Sequence, residues 1–247
     1  MALAWHLQRG ALVGWLVAMV TCGAVFGSIA NGISDLLGDS KQAQEIFERM
    51  GGTSGLVDAF LASLAGIYGT IVALYGVQAT LRLRAEETSL HAEQLLGAPV
   101  RRLRWAASHL VFAFGGSAAI LLAAGAATGF THGLRTAAVG PAVVDMLVAT
   151  AAQVPATWLV IALGVTLFGV APKLSLAAWA IAGVALAISM FGPVLDVPQS
   201  VLDLSPFSHV PKLPGAEVVL APLVLLSAAG AIALAAGLGA FRLRDIG

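Results

Sequence analysis

Residues able to do chemistry are few in this 247-residue sequence, and they are scattered. Its five histidines, His6, His91, His109, His132 and His209, fall on different segments, with no spacing that would gather metal ligands. The one cysteine, Cys22, leaves no thiol pair for a disulfide, a metal or redox work. None of the three lysines, Lys41, Lys173 and Lys212, follows a glycine-rich loop, so the sequence has no phosphate-binding loop of its own. No catalytic, cofactor-binding or metal-ligating set is expected, and any ATP hydrolysis that drives this chain must come from another polypeptide.

One motif invites a nucleophile. Gly52, Thr53, Ser54 and Gly55 match the GxSG of rhomboid intramembrane proteases, whose serine is activated by a histidine. Here Ser54 lies in a polar stretch before an apolar run, and the last apolar run contains no histidine, so nucleophile and base could not meet inside a bilayer. Ser54 therefore reads as a turn residue. Asp145 is the carboxylate placed well within an apolar run, where an ionisable group is a functional candidate and would cost ~2.5–3.5 kcal/mol at a helix centre. If that helix starts at Pro141, Asp145 sits near the membrane boundary, where the helix dipole and water relieve much of the cost. Gln153 and Thr157 follow deeper in the same run, and Pro155 between them removes an intrahelical hydrogen bond. Asp145, Gln153, Thr157 and Asn31, with Phe207 further on, are the candidates for a transport path or gate. Structural roles stand beside that reading: a boundary carboxylate for Asp145, and helix-to-helix hydrogen bonds for Asn31, Gln78 and His109.

The surroundings of these residues decide the class. Hydrophobic side chains make up 59% and charged ones 11%, far from the ~45–50% and ~25% of soluble domains, so the chain belongs in a lipid membrane. Zero net charge gives no reason to expect a nucleic-acid partner. A hydrocarbon core of ~30 Å takes ~20 apolar helical residues. Six runs meet that length, 11–32, 57–81, 105–130, 141–170, 174–195 and 218–241, and predict an all-α polytopic protein with a single six-span domain over 1–247. The first run is too long for a signal peptide and is expected to stay as an anchor. With both termini in the cytoplasm, nine of the thirteen cations lie inside, Arg9, Arg82, Arg84, Arg101, Arg102, Arg104, Lys173, Arg242 and Arg244, which the positive-inside rule favours. Gly10/Gly14, Gly23/Gly27 and Gly125/Gly129 have GxxxG spacing and predict close helix packing.

Three connecting segments stand out. Between the first and second spans, 35–56 reads as a short capped surface helix, a lid or an outer gate. Between the second and third, 85–96 predicts about three helical turns ended by Gly97 and Pro99. Its small and apolar arc would lie on the membrane floor, while Glu86, Glu87, His91, Glu93 and Gln94 surround Leu90 on the opposite side. That face suits either a docking helix or an ordinary interfacial one. Between the fifth and sixth, 191–215 holds half of the ten prolines and predicts short broken helices packed on protein.

The stretch EETSLHAEQLLGAPVRR (86–102) resembles the cytoplasmic segment between the second and third spans of type-2 exporter permeases of the ATP-binding-cassette (ABC) superfamily. There an acidic pair and a Gly-Thr-Leu turn precede Glu-Gln-Leu-Leu, a small residue and Pro; here Thr88 and Ser89 replace Gly-Thr. The wider 81–110 stretch, LSPFSHVPKLP (204–214) and FRLRDI (241–246) are similar, more narrowly, to actinobacterial exporters of polyketide antibiotics such as tetronasin. Their permeases have two six-span halves, of which this chain resembles the second. The resemblance implies a permease of the bacterial inner membrane that moves a hydrophobic or amphipathic compound outward. It implies docking of Glu86, Glu87, Leu90, His91, Glu93 and Gln94 on a cytoplasmic ATPase dimer that holds ATP and Mg. It further implies a second six-span bundle, either an identical copy or a separate first half, with the exit path along the first, second and fifth spans and the proline-rich segment. The alternatives are a secondary transporter or channel coupled through Asp145, and a non-transporting scaffold.

Overall fold

The computed structural model describes residues 2–32, 55–88, 102–192, 195 and 197–243. All regular structure among them is helical: Ala2–Ile29 (α1), Leu56–Thr88 (α2), Arg102–Thr136 (α3), Val139–Val170 (α4), Ala177–Phe191 (α5), the single turn Gln199–Leu202 (α6) and Leu220–Leu243 (α7). Five of these contain stretches long and apolar enough to cross a membrane: Trp5–Ile29, Leu56–Glu86, Trp105–Thr136, Val139–Val170 and Leu220–Leu243. The expected span at 174–195 is shorter, because the 3-10 turn Pro172–Leu174 precedes α5 and the helix closes at Gly192. Its 15 residues rise only about 22 Å.

Helix α4 is the hub. It packs along α3 on one side and α7 on another, with α2 wedged against α3 and α4; α5 leans on α2 and α4, and α1 lies against α3. The α3–α4 hairpin turns through Ala137, in the left-handed region at φ 56°, with the Ala138 N–H donating to the Gly133 carbonyl at 3.0 Å. Helix α4 runs without interruption through Pro155.

Lipid gives apolar helices no hydrophobic reason to associate, so close contact and interhelical hydrogen bonds must hold the bundle. Both are present. A Cβ added at Gly23 would lie 2.6 Å from the Ala124 carbonyl oxygen, and one at Gly125 would lie 2.7 Å from that of Met146, so two of the three GxxxG pairs face neighbouring backbones as expected. Gly10 and Gly14 meet nothing within 4 Å, so that pair is not a packing face among the described residues. Between helices, Trp15 Nε1 donates to Gln78 Oε1 (2.8 Å), Tyr75 Oη to the Phe112 carbonyl (3.0 Å), Trp158 Nε1 to the Phe114 carbonyl (3.0 Å) and Thr166 Oγ1 to the Ala233 carbonyl (2.7 Å). The outer flank of α7 is apolar, with Val224, Leu225 and Ile232 each more than 60% exposed.

Two connecting segments differ from expectation or fall outside it. Helix α2 does not stop near residue 81, because 79–88 contain helix-forming Ala, Leu, Arg and Glu without Gly or Pro. Residues 85–88 are thus its last turn rather than the start of a separate helix. The rest of the expected docking helix, and the expected surface helix at 35–56 up to residue 54, lie outside the described residues. In the proline-rich segment the broken form is borne out by α6 and the 3-10 turn Pro206–His209, with Phe207, Val210 and Leu213 buried.

Candidate functional site

A cavity of about 390 Å³ opens between α2, α4, α5 and the proline-rich segment, within the ~300–1,000 Å³ usual for ligand pockets. Its depth is set by α4, whose Gln153 is only 4% exposed, and its cover by Phe207 from the 3-10 turn. The two side chains converge on Gly69 of α2: a Cβ there would sit 3.0 Å from both Gln153 Oε1 and Phe207 Cε1, so glycine is what lets them close. Ala62, Ser63, Gly66 and Ile67 supply the α2 wall, and Ile188 and Ser189 the α5 wall. Gln199, Ser208 and Lys212 form an exposed rim. Lys212 is exposed as a residue, yet protein around the rim partly desolvates its ammonium and holds its pKa below the usual lysine range.

Other expected path residues lie elsewhere. Thr157 is buried and donates to the Gly69 carbonyl at 3.2 Å, so it ties α4 to α2. Asp145 is exposed in the second turn of α4, beside a smaller cavity of about 160 Å³ that Asp58, His132 and Pro214 share. Asn31, just past α1, is half-buried and lines neither cavity. Gln153 and Phe207 are therefore the two that the structure brings together. Ser63, Ser189, Ser205 and Lys212 were not singled out from the sequence; isolated serines in apolar segments carry little signal there.

At the opposite end of the bundle, α2 leads into the expected docking segment. Arg84 hydrogen-bonds through a guanidinium nitrogen to Ser175 Oγ in the α4–α5 connection. Glu86, with 14% of its side chain exposed, has Oε2 3.3 Å from His109 Nε2 on α3, and His109 Nδ1 is 3.1 Å from Gln8 Nε2 on α1. Trp105 stands edge-on to His109 at 5.6 Å and also meets Phe241 of α7 at 6.3 Å. Glu86 is thus turned into the bundle, Glu87 lies in the last turn of α2, and Leu90, His91, Glu93 and Gln94 lie outside the described residues.

Groups of three or more His, Cys, Asp or Glu arranged to hold a metal do not occur among the described residues. The arrangement offers a lined cavity at one end and the Glu86–His109–Gln8 contacts at the other.

Residues 1–242 match the family described as the C-terminal domain of the multidrug efflux system permease Rv1217c. The chain is similar, at 41% identity over 244 residues, to the multidrug efflux system permease protein Rv1217c of Mycobacterium tuberculosis (strain ATCC 25618 / H37Rv). That match takes in 99% of this chain and 44% of its relative, so the chain spans less than half of the length of the relative it matches. With its helices of membrane-crossing length, this is a multi-pass membrane protein, and the chain belongs to the family of the Rv1217c permease C-terminal domain.

Proposed function

We propose that this chain is the membrane-spanning half of an ATP-driven ABC exporter that moves hydrophobic or amphipathic, drug-like compounds out of the cytoplasm. The observation that carries the reading is its 41% identity, across nearly the whole chain, to a multidrug efflux permease. The motif at 86–102 adds the point of attachment. In this reading α5 completes a set of six spans, both termini are cytoplasmic, and Arg84, Arg242 and the α4–α5 connection face the ATPase. The hydrogen bond from Arg84 to Ser175 and the Trp105–Phe241 contact support their lying at one end. A second six-span bundle packs on the exposed apolar flanks, and the substrate class extends to polyketide antibiotics of the tetronasin type.

Mechanistically, the chain makes and breaks no bonds. ATP and Mg bind in the partner dimer; its closure draws the docking segments together and shifts the bundles between inward and outward access. Glu87, Leu90, His91, Glu93 and Gln94 present the docking surface, while Glu86 braces its root against His109.

Co-purification tests this. The chain should bring down a soluble ATPase, and Leu90→Asp/Glu93→Arg should weaken that association about tenfold, the effect of ~1.4 kcal/mol lost at a contact. Retained association and export with both changes in place would refute the docking assignment. Asp145→Asn addresses coupling through the carboxylate. Because Asp145 is exposed near the end of α4, export should change by no more than about twofold, in line with ±0.5 kcal/mol for surface substitutions. Abolished transport that needs no ATP would instead favour a secondary transporter.

A further inference from the structure

The cavity holds two buried polar atoms that the bundle does not satisfy. Gln153 and Ser205 both line it and are only 4% and 1% exposed, and their Oε1 and Oγ, buried at its wall, have no hydrogen-bond partner among the described residues. Leaving a buried acceptor or hydroxyl unpaired costs about 1–3 kcal/mol each, which a ligand able to hydrogen-bond would recover. Around them the wall is mixed, with Ile67, Ile188, Leu202 and Phe207 giving apolar surface beside Ser63, Ser189 and Ser208, and Gly66 leaves open space: an added Cβ there meets nothing within 4 Å. Among the described residues the one charged side chain lining the cavity is Lys212, at the exposed rim.

We propose that this cavity is a binding site, contained within a single bundle, for a neutral amphipathic alcohol. The ligand pairs its hydroxyl with Gln153 Oε1 or Ser205 Oγ, whose side chains turn from the wall to meet it, and lays its apolar body against Ile67, Ile188, Leu202 and Phe207. The carboxamide oxygen can only accept, so the ligand must donate; Ser205 can do either, and a hydroxyl group serves both. A bare hydrocarbon would leave both atoms unpaired, and an anion or cation would be desolvated without a buried charged partner among the described residues. The same chemistry is offered by a hydroxylated drug and by a hydroxyl-bearing lipid. The inference rests on the transport reading only for where the ligand goes next, since binding needs neither ATP nor the ATPase.

The test is photolabelling of the full chain in detergent micelles with a diazirine-bearing octanol, the adducts being mapped by mass spectrometry. Adducts should concentrate on Ile67, Ile188 and Leu202, and 1-decanol should compete where decane does not. Gln153→Leu removes the acceptor, and Gly66→Leu fills the space without touching it; each should cut labelling about tenfold. Gly66→Leu keeps the test decisive if Gln153→Leu folds poorly. Competition by monoolein as strong as by decanol would assign the site to lipid, and competition by decanol alone to a soluble compound. Labelling spread evenly over lipid-facing Val224 and Leu225, or unmoved by both substitutions, would overturn the site. Intact labelling alongside lost ATPase association would count against the export reading alone.

Discussion

Gly129→Leu is expected to destabilise the folded bundle severely, whereas Gly10→Leu and Gly14→Leu leave it intact. At Gly129 an added Cβ would lie 2.6 Å from Val143 Cα and 2.9 Å from the Ala142 carbonyl carbon. These are backbone atoms of α4, which cannot swing aside as a side chain would, so the two helices must separate. Overpacking of a tight core costs ~1–3 kcal/mol, and a main-chain collision at the joint between α3 and the hub belongs at or above the upper end. At ~1.4 kcal/mol per decade, that is a loss of more than about a hundredfold in the folded-to-unfolded ratio. Separating α3 from α4 also opens the seam in which Met146, Ala149 and Thr150 are buried. The measurement is resistance to unfolding in a titration of sodium dodecyl sulfate into mixed micelles, followed by tryptophan fluorescence. Gly10 and Gly14 have the same spacing on α1 but no neighbour within 4 Å. Alanine there should stabilise slightly, by up to ~1 kcal/mol of helix propensity per site. A wild-type unfolding curve for Gly129→Leu would mean that α3 and α4 do not pack through this glycine.

That contrast shows what the sequence discloses and what it withholds. Hydropathy located every long helix, because a run of apolar residues is a one-dimensional signal with a length set by the bilayer. It made the helix within 174–195 longer than the 15 residues of Ala177–Phe191, since the apolar character continues past Gly192, where the helix closes, and hydropathy does not register backbone breaks. Small-residue spacing identified Gly23/Gly27 and Gly125/Gly129 as faces, yet gave Gly10/Gly14 equal standing; spacing states that a helix could approach, not that one does. The place of Asp145 near the start of α4 was legible from Pro141. The meeting of Gln153 with Phe207 was not. One residue sits in a helix and the other in a proline-rich turn far along the chain, and only the tertiary fold brings both onto Gly69. Glu86 illustrates the same limit, because its helical position fits a solvent-facing acid, while its partner His109 lies on another helix.

His109→Leu is expected to cost about 2–3 kcal/mol, the second largest effect, and to do so without creating a cavity. Leucine approximates the ring in size, so packing against Trp105 is largely kept; what disappears is the link from Gln8 through both ring nitrogens to Glu86. Gln8 is 2% exposed, and loss of the imidazole removes the partner of its Nε2 in a place that water reaches poorly. Both carboxylate oxygens of Glu86 are buried as well, so the cost belongs at the upper end of this range, toward the ~3–5 kcal/mol of a broken buried ion pair. A cycle separates the interaction from the loss of the histidine itself. If the pair acts as a unit, His109→Leu/Glu86→Leu should be less destabilised than the sum of the singles by about 1 kcal/mol or more, because apolar groups of similar size can replace a buried polar pair at little cost. Strict additivity would mean that the 3.3 Å approach carries no energy. The network also joins α1, α2 and α3 at the root of the segment proposed to meet the ATPase, so the double variant asks a functional question. A bundle that unfolds at the wild-type midpoint but shows diminished drug-stimulated ATP hydrolysis would show that the brace transmits movement, whereas unchanged stimulation would confine it to stability.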